Sequence, residues 1–166
     1  PRVLSFWETM PFWSTFFRSL GFTVRVSAPS SHKLYESGLS AVASDTVCFP
    51  AKLVHGHIRS LANMHVDRIF MPSITSVQSE NKEKTSEWMG AIVKGYPLVI
   101  KNSDNPEHVF GIPFDNPLFH WYTKEDRNEQ LTDGVIRVGL PLPRVFRVED
   151  FDRHCSRNEE DRWKIH

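Results

Sequence analysis

The sequence predicts an α/β domain, a layered fold with a mainly parallel sheet. Two observations predict it. Short β-rich runs alternate with longer amphipathic runs in the order strand, helix, strand, helix, strand. The amphipathic runs are also bounded by proline, serine and glycine, where helix starts and stops are expected. That order implies right-handed crossovers between parallel strands. Residues 2–7, 22–27 and 66–72 are then expected to be neighbours in one sheet.

The elements follow in sequence. "RVLSFW" (2–7) reads as a short first strand. A helix is expected from Pro11, at its first position, to a stop at Gly21. Phe12, Trp13, Phe16, Phe17 and Leu20 share its apolar face. "FTVRVS" (22–27) reads as the second strand. "SSHKLYESG" carries a serine cap and a Gly38 stop, predicting a short helix. From Pro50 a helix is expected, with Ala51, Val54, Ile58, Leu61 and Ala62 as one stripe. "VDRIFMP" (66–72) reads as the third strand, and the polar 76–87 as a loop or loose helix. "AIVKGYPLVIKNS" predicts a short strand and then a helix after Tyr96-Pro97. "HVFGIPFDNP" holds a further strand, and "KEDRNEQL" is helix-prone. In the charged tail, Val148, Phe151 and Cys155 fall at helical spacing.

Length and composition bound the function. The chain has 166 residues, which suits one domain over 1–166. It begins at a proline and is read as a piece of a longer protein. Twenty basic and twenty acidic residues cancel, so charge gives no argument for nucleic acid or a membrane surface. No apolar run approaches the roughly 20 residues of a membrane helix, and no signal peptide is evident. A cytoplasmic location is expected. Two cysteines far apart are not a disulfide framework. No P-loop, G-x-G-x-x-G or G-x-S-x-G occurs, and Asp104, Asp115 and Glu125 have no paired spacing.

"SDTVCFPAKLVHGH" (44–57) concentrates the chemistry. Cys48 lies two residues before Pro50, beside a helix N-terminus whose dipole favours a thiolate. A thiolate there is a nucleophile or a ligand for zinc or an iron–sulfur cluster. The plainer reading is a small buried hydrophobe, the commonest state of a free cysteine. His55 and His57 point roughly 200° apart on a helix and cannot chelate one metal together. His55 instead shares a flank with Lys52 and Arg59. That flank is either an anion or partner-binding surface or an ordinary solvated helix face. Gly56 inside the helix costs about 1 kcal/mol against alanine, which close approach of another backbone would explain.

"PRVL", "PFW", "FF" with "LGF", "SDTVCFPAKLVHGH" and "IFMP" together resemble a domain of unknown function found in bacterial CoA-substrate-specific enzyme activases. These proteins are related to the 2-hydroxyglutaryl-CoA dehydratase activator. The resemblance covers about residues 1–72 and continues less tightly through "IVKGYPLVI". It implies similarity to the Rossmann-like iron–sulfur subunits of 2-hydroxyacyl-CoA dehydratases, whose helix-leading loops hold a [4Fe–4S] cluster. Carried over by position, Cys48 matches a cluster ligand. A Cys-Pro pair expected before "IVKGYP" reads Gly90-Ala91 here, and a cysteine expected after the third strand is Ser73. The resemblance thus implies an accessory domain that contributes to iron–sulfur electron transfer, with Cys48 sharing a cluster whose other ligands come from elsewhere, or else a cluster-free structural or interaction module. It also implies as partners the other domains of the same polypeptide, including an ATPase segment, and dehydratase-like subunits. No self-contained catalytic site is expected.

Overall fold

The computed structural model describes residues 1–77, 88–120 and 124–137. In order they form α1 (Phe6–Ser19), α2 (His32–Gly38), a 3-10 turn (Leu39–Ala41), α3 (Phe49–Ala62), β1 (Ile69–Phe70), β2 (Ser73–Ser76), α4 (Ala91–Ser103), α5 (Pro106–Phe110), β3 (Phe114–Asp115), β4 (Leu118–His120) and α6 (Lys124–Arg137). The fold is α/β with short parallel sheets. β1 pairs in parallel with β3, Ile69 opposite Phe114, and β2 with β4, Ser73 opposite Leu118. The amide of Met71 donates to Asp115 O at 2.9 Å, so the ladder runs on between the two short pairs. The crossover from one strand of this ribbon to the other passes through α4 and α5, as parallel pairing requires.

Side chains alternate across the ribbon. Ile69, Met71 and Phe114 join a core with Leu34, Val54, Ile58, Leu61, Tyr96 and Ile100. Phe70 and Phe119 turn to the other face. There they pack with Phe12, Trp13, Phe16, Leu20 and Leu131, from α1 and α6. The Trp13 and Phe70 ring centroids are 4.7 Å apart.

Several expectations need correction. Residues 2–7 are not a strand. Leu4 takes a left-handed backbone (φ 57) and ends the extended run, and α1 begins at Phe6, a turn before Pro11. The aromatic face continues back to the buried Thr9, so its packing outweighs the proline at Pro11. Residues 22–27 are extended but form no assigned strand, because among the described residues nothing pairs with residues 23–26. The three expected strands are therefore not sheet neighbours. The segment 91–103 is one helix, with buried Pro97 inside it rather than at its start. In "HVFGIPFDNP", His108 to Phe110 belong to α5 and only Phe114–Asp115 is strand.

Other expectations hold. Ser31 caps α2 by accepting from the Leu34 amide. α3 buries Ala51, Val54, Ile58 and Leu61 as the stripe predicts. "KEDRNEQL" lies in α6. Most of the 76–87 loop and the tail with Val148, Phe151 and Cys155 lie outside the described residues. No helix among the described residues is long and apolar enough to cross a membrane.

Candidate functional site

α3 carries the site. Cys48 is its N-cap residue, extended at φ −62° and ψ 152°, and its side chain makes no capping bond. It is exposed and not disulfide-bonded. That excludes the buried small-hydrophobe reading. Phe49, next in sequence, is 57% exposed, and its ring touches Tyr35 of α2. Leu39, on the 3-10 turn packed against α3, is also exposed.

About two turns along α3 from Cys48 lies a buried polar chain that sequence reasoning did not foresee. His55 is fully buried, not on a solvated flank. Its Nδ1–H donates to Asp104 Oδ2 at 2.6 Å, and its Nε2 meets the Tyr96 hydroxyl at 3.1 Å. Both ring nitrogens therefore have a hydrogen-bond partner inside the core. Arg59 closes the chain with a two-pronged contact to Asp104, 2.8 and 3.2 Å from its two oxygens. Burial alone would raise Asp104, but the hydrogen bonds from His55 and Arg59 outweigh it and hold the carboxyl below its usual range. Tyr96 is pushed above its ordinary value, by burial first and then by the negative charges of Cys48 and Asp104.

The anion or partner flank expected of Lys52, His55 and Arg59 does not exist as a unit. The carboxylate that His55 and Arg59 hold comes from this chain, at Asp104. Lys52 Nζ instead donates to Asp45 O at 2.8 Å, tying down the loop that leads to Cys48. Asp115, a second scattered carboxylate, pairs with Arg68 at 2.8 Å.

His57 belongs to a separate cluster. Its Nδ1 meets Ser27 Oγ at 2.9 Å and its Nε2 meets Ser30 Oγ at 3.1 Å. The Arg2 amide donates to the same Ser27 Oγ at 2.7 Å, so the arrangement satisfying every group has the Ser27 hydroxyl donating to Nδ1 and Nε2–H donating to Ser30 Oγ. Burial, with the positive charges of the amino terminus and Arg2, lowers His57 to about 4. This histidine pins the extended segment to α3.

Ser73 opens β2 and is buried, its Oγ without a partner among the described residues. Gly90 is the exposed N-cap residue of α4. Neither supplies a thiolate. Among the described residues no group of three or more His, Cys, Asp or Glu side chains is placed to hold a metal ion. A four-thiolate cluster does not fit the residues present, since Cys48 is the sole cysteine among them.

Residues 1–147 match the family model described as the CoA enzyme activase uncharacterised domain (DUF2229). The chain belongs to that family. No curated protein matches the chain, and no solved structure matches it. The match includes all of α3, so the exposed Cys48 and the buried Arg59–Asp104–His55–Tyr96 chain both lie within the family domain.

Proposed function

We propose that this domain is an accessory unit of a CoA enzyme activase system related to 2-hydroxyacyl-CoA dehydratase activation, and that it meets its partner through the Cys48 end of α3. The observation that carries this reading is the surface there. An uncapped, exposed thiol sits at a helix N-terminus next in sequence to exposed Phe49, and exposed Leu39 lies on the 3-10 turn that packs against the same helix. Exposed apolar groups around a polar centre are what a docking face displays. The partner is another segment of an activase polypeptide, including its ATPase segment, or a dehydratase-like subunit. The setting is the bacterial cytoplasm.

A second reading has Cys48 give one thiolate to an iron–sulfur site completed from outside this chain. Its position at the positive end of a helix favours it. The residues of this domain do not hold such a cluster alone.

The test uses a Cys155→Ser background, so that only Cys48 reports. Native protein should be alkylated by iodoacetamide, and Cys48→Ser should change stability by no more than about 0.5 kcal/mol, as for a surface site. Protein prepared without oxygen should carry no stoichiometric iron and sulfide by itself. If it does so and loses them in Cys48→Ser, the accessory reading yields to a self-contained cluster. If Cys48 resists alkylation in the folded state, the docking face is misplaced.

A further inference from the structure

An open-sided groove of about 1310 Å³ runs between the extended segment Phe22 to Val26 and β1. Its two long walls are strand-like. Phe22, Val24 and Val26 are half-buried and alternate with exposed Thr23 and Arg25, the pattern of a strand, yet among the described residues the backbone of 23–26 has no partner. Across the groove, Ile69, Met71 and Ser73 turn their amides to the β3 and β4 side. The period of two then turns the Phe70 amide and the carbonyls of Phe70 and Pro72 towards the groove. Trp13 and Phe17 of α1 line it from one side and Leu61 of α3 from the other. Trp13 Nε1 is buried in this wall with no acceptor among the described residues.

We propose that the groove is a strand-docking slot, filled by an apolar β-strand joined directly to the nitrogen of Pro1 and running parallel between residues 22–27 and β1. The course of the first residues carries the argument. Pro1 and Val3 line the groove, and the Arg2 amide is bonded to Ser27, at the far end of the extended segment. Residues attached before Pro1 therefore back along that segment towards Phe22, which makes the two parallel. The chain then leaves the sheet layer at the left-handed Leu4 and returns through α1 to residue 22. This strand, helix and parallel strand is one crossover unit of the kind that packs a helix on a sheet. Helices on both faces call for a continuous aliphatic run, as in a strand covered on both sides.

The probe is the full chain carrying Val-Ile-Val-Thr-Ile-Val before Pro1. It is compared with the chain starting at Pro1 and with one carrying Gly-Ser-Gly-Ser-Gly-Ser. Amide exchange at Thr23 to Val26 and Phe70 should slow on the order of tenfold or more with the aliphatic extension alone, with a raised melting temperature. Equal exchange in all three chains would overturn the proposal. So would strong protection already present in the chain starting at Pro1. If that protection rose with protein concentration, the occupant would be a second copy; if it vanished on truncation after Arg137, the tail.

Discussion

At the residue scale the chain Arg59–Asp104–His55–Tyr96 and the His57 cluster make stability depend on pH in two separate windows. Asp104 has a depressed folded value, so its contribution is present above the unfolded carboxyl pKa and lost as pH falls through the folded one. His57 is also depressed, from 6.5 to about 4. Its neutral form belongs to the fold, so stability is full above 6.5 and declines between there and 4. Urea midpoints of the native protein should therefore fall from pH 6.5 to 4 and fall further below. His57→Gln should flatten the first window, and Asp104→Asn the second while costing about 2 kcal/mol at pH 7 through lost charge-assisted bonds. A single acid transition unchanged in both variants would contradict the assignment. Cys48 was legible because a cysteine before a helix-opening proline fixes its place. His55 was not. The charges of Lys52 and Arg59 suggested a wet flank, but each is held by this chain, and the carboxylate that neutralises Arg59 is 45 residues away. Such long-range pairing leaves no local signal.

At the element scale, α3 is buried on nearly every side, and Gly56 explains how. A Cβ at Gly56 would collide with the Leu34 carbonyl oxygen, and one at Gly38 with the Gly56 amide nitrogen. α2 therefore crosses α3 backbone against backbone, the close approach that a mid-helix glycine suggests. Gly56→Ala gains about 1 kcal/mol of helix propensity, yet the clash is with backbone and cannot be relieved by a rotamer. A net loss of roughly 1–3 kcal/mol is expected, read as a lower melting temperature with unchanged helicity just below it; a more stable variant would refute the crossing. The helices with strong stripes and caps were legible. Two of the misassigned ones, α1 and α4, contain an internal proline. Pro11 and Pro97 look like helix starts, since proline suits that position, but packing of Trp13 and Phe16 in α1 and of Tyr96 and Ile100 in α4 carries the helix through. Residues 22–27 failed for another reason. β-propensity records a strand-like side-chain pattern, and pairing needs a neighbour.

At the scale of the whole molecule, the parallel ribbon separates two cores of different character. One is aliphatic with a polar insert, built from α2, α3 and α4. The other is almost wholly aromatic, built from α1 with Phe70 and Phe119. The alternation of strand and helix foretold that layering, although the ribbon is narrower than the sequence implies. If the ribbon insulates the cores, substitutions on opposite faces should act independently, while those within one face should couple. Ile58→Val and Phe16→Leu share no packing partner in either cluster, so their costs in urea unfolding should add within about 0.5 kcal/mol. Trp13 and Phe70 touch directly, and Phe17 meets both rings, at 6.1 and 4.8 Å. The double variant of Trp13→Phe with Phe70→Leu should depart from additivity by roughly 0.5–3 kcal/mol. Coupling across the ribbon as large as coupling within the aromatic face would mean that the two cores are one, and that a partner docked at the Cys48 end of α3 strains α1 as directly as α3.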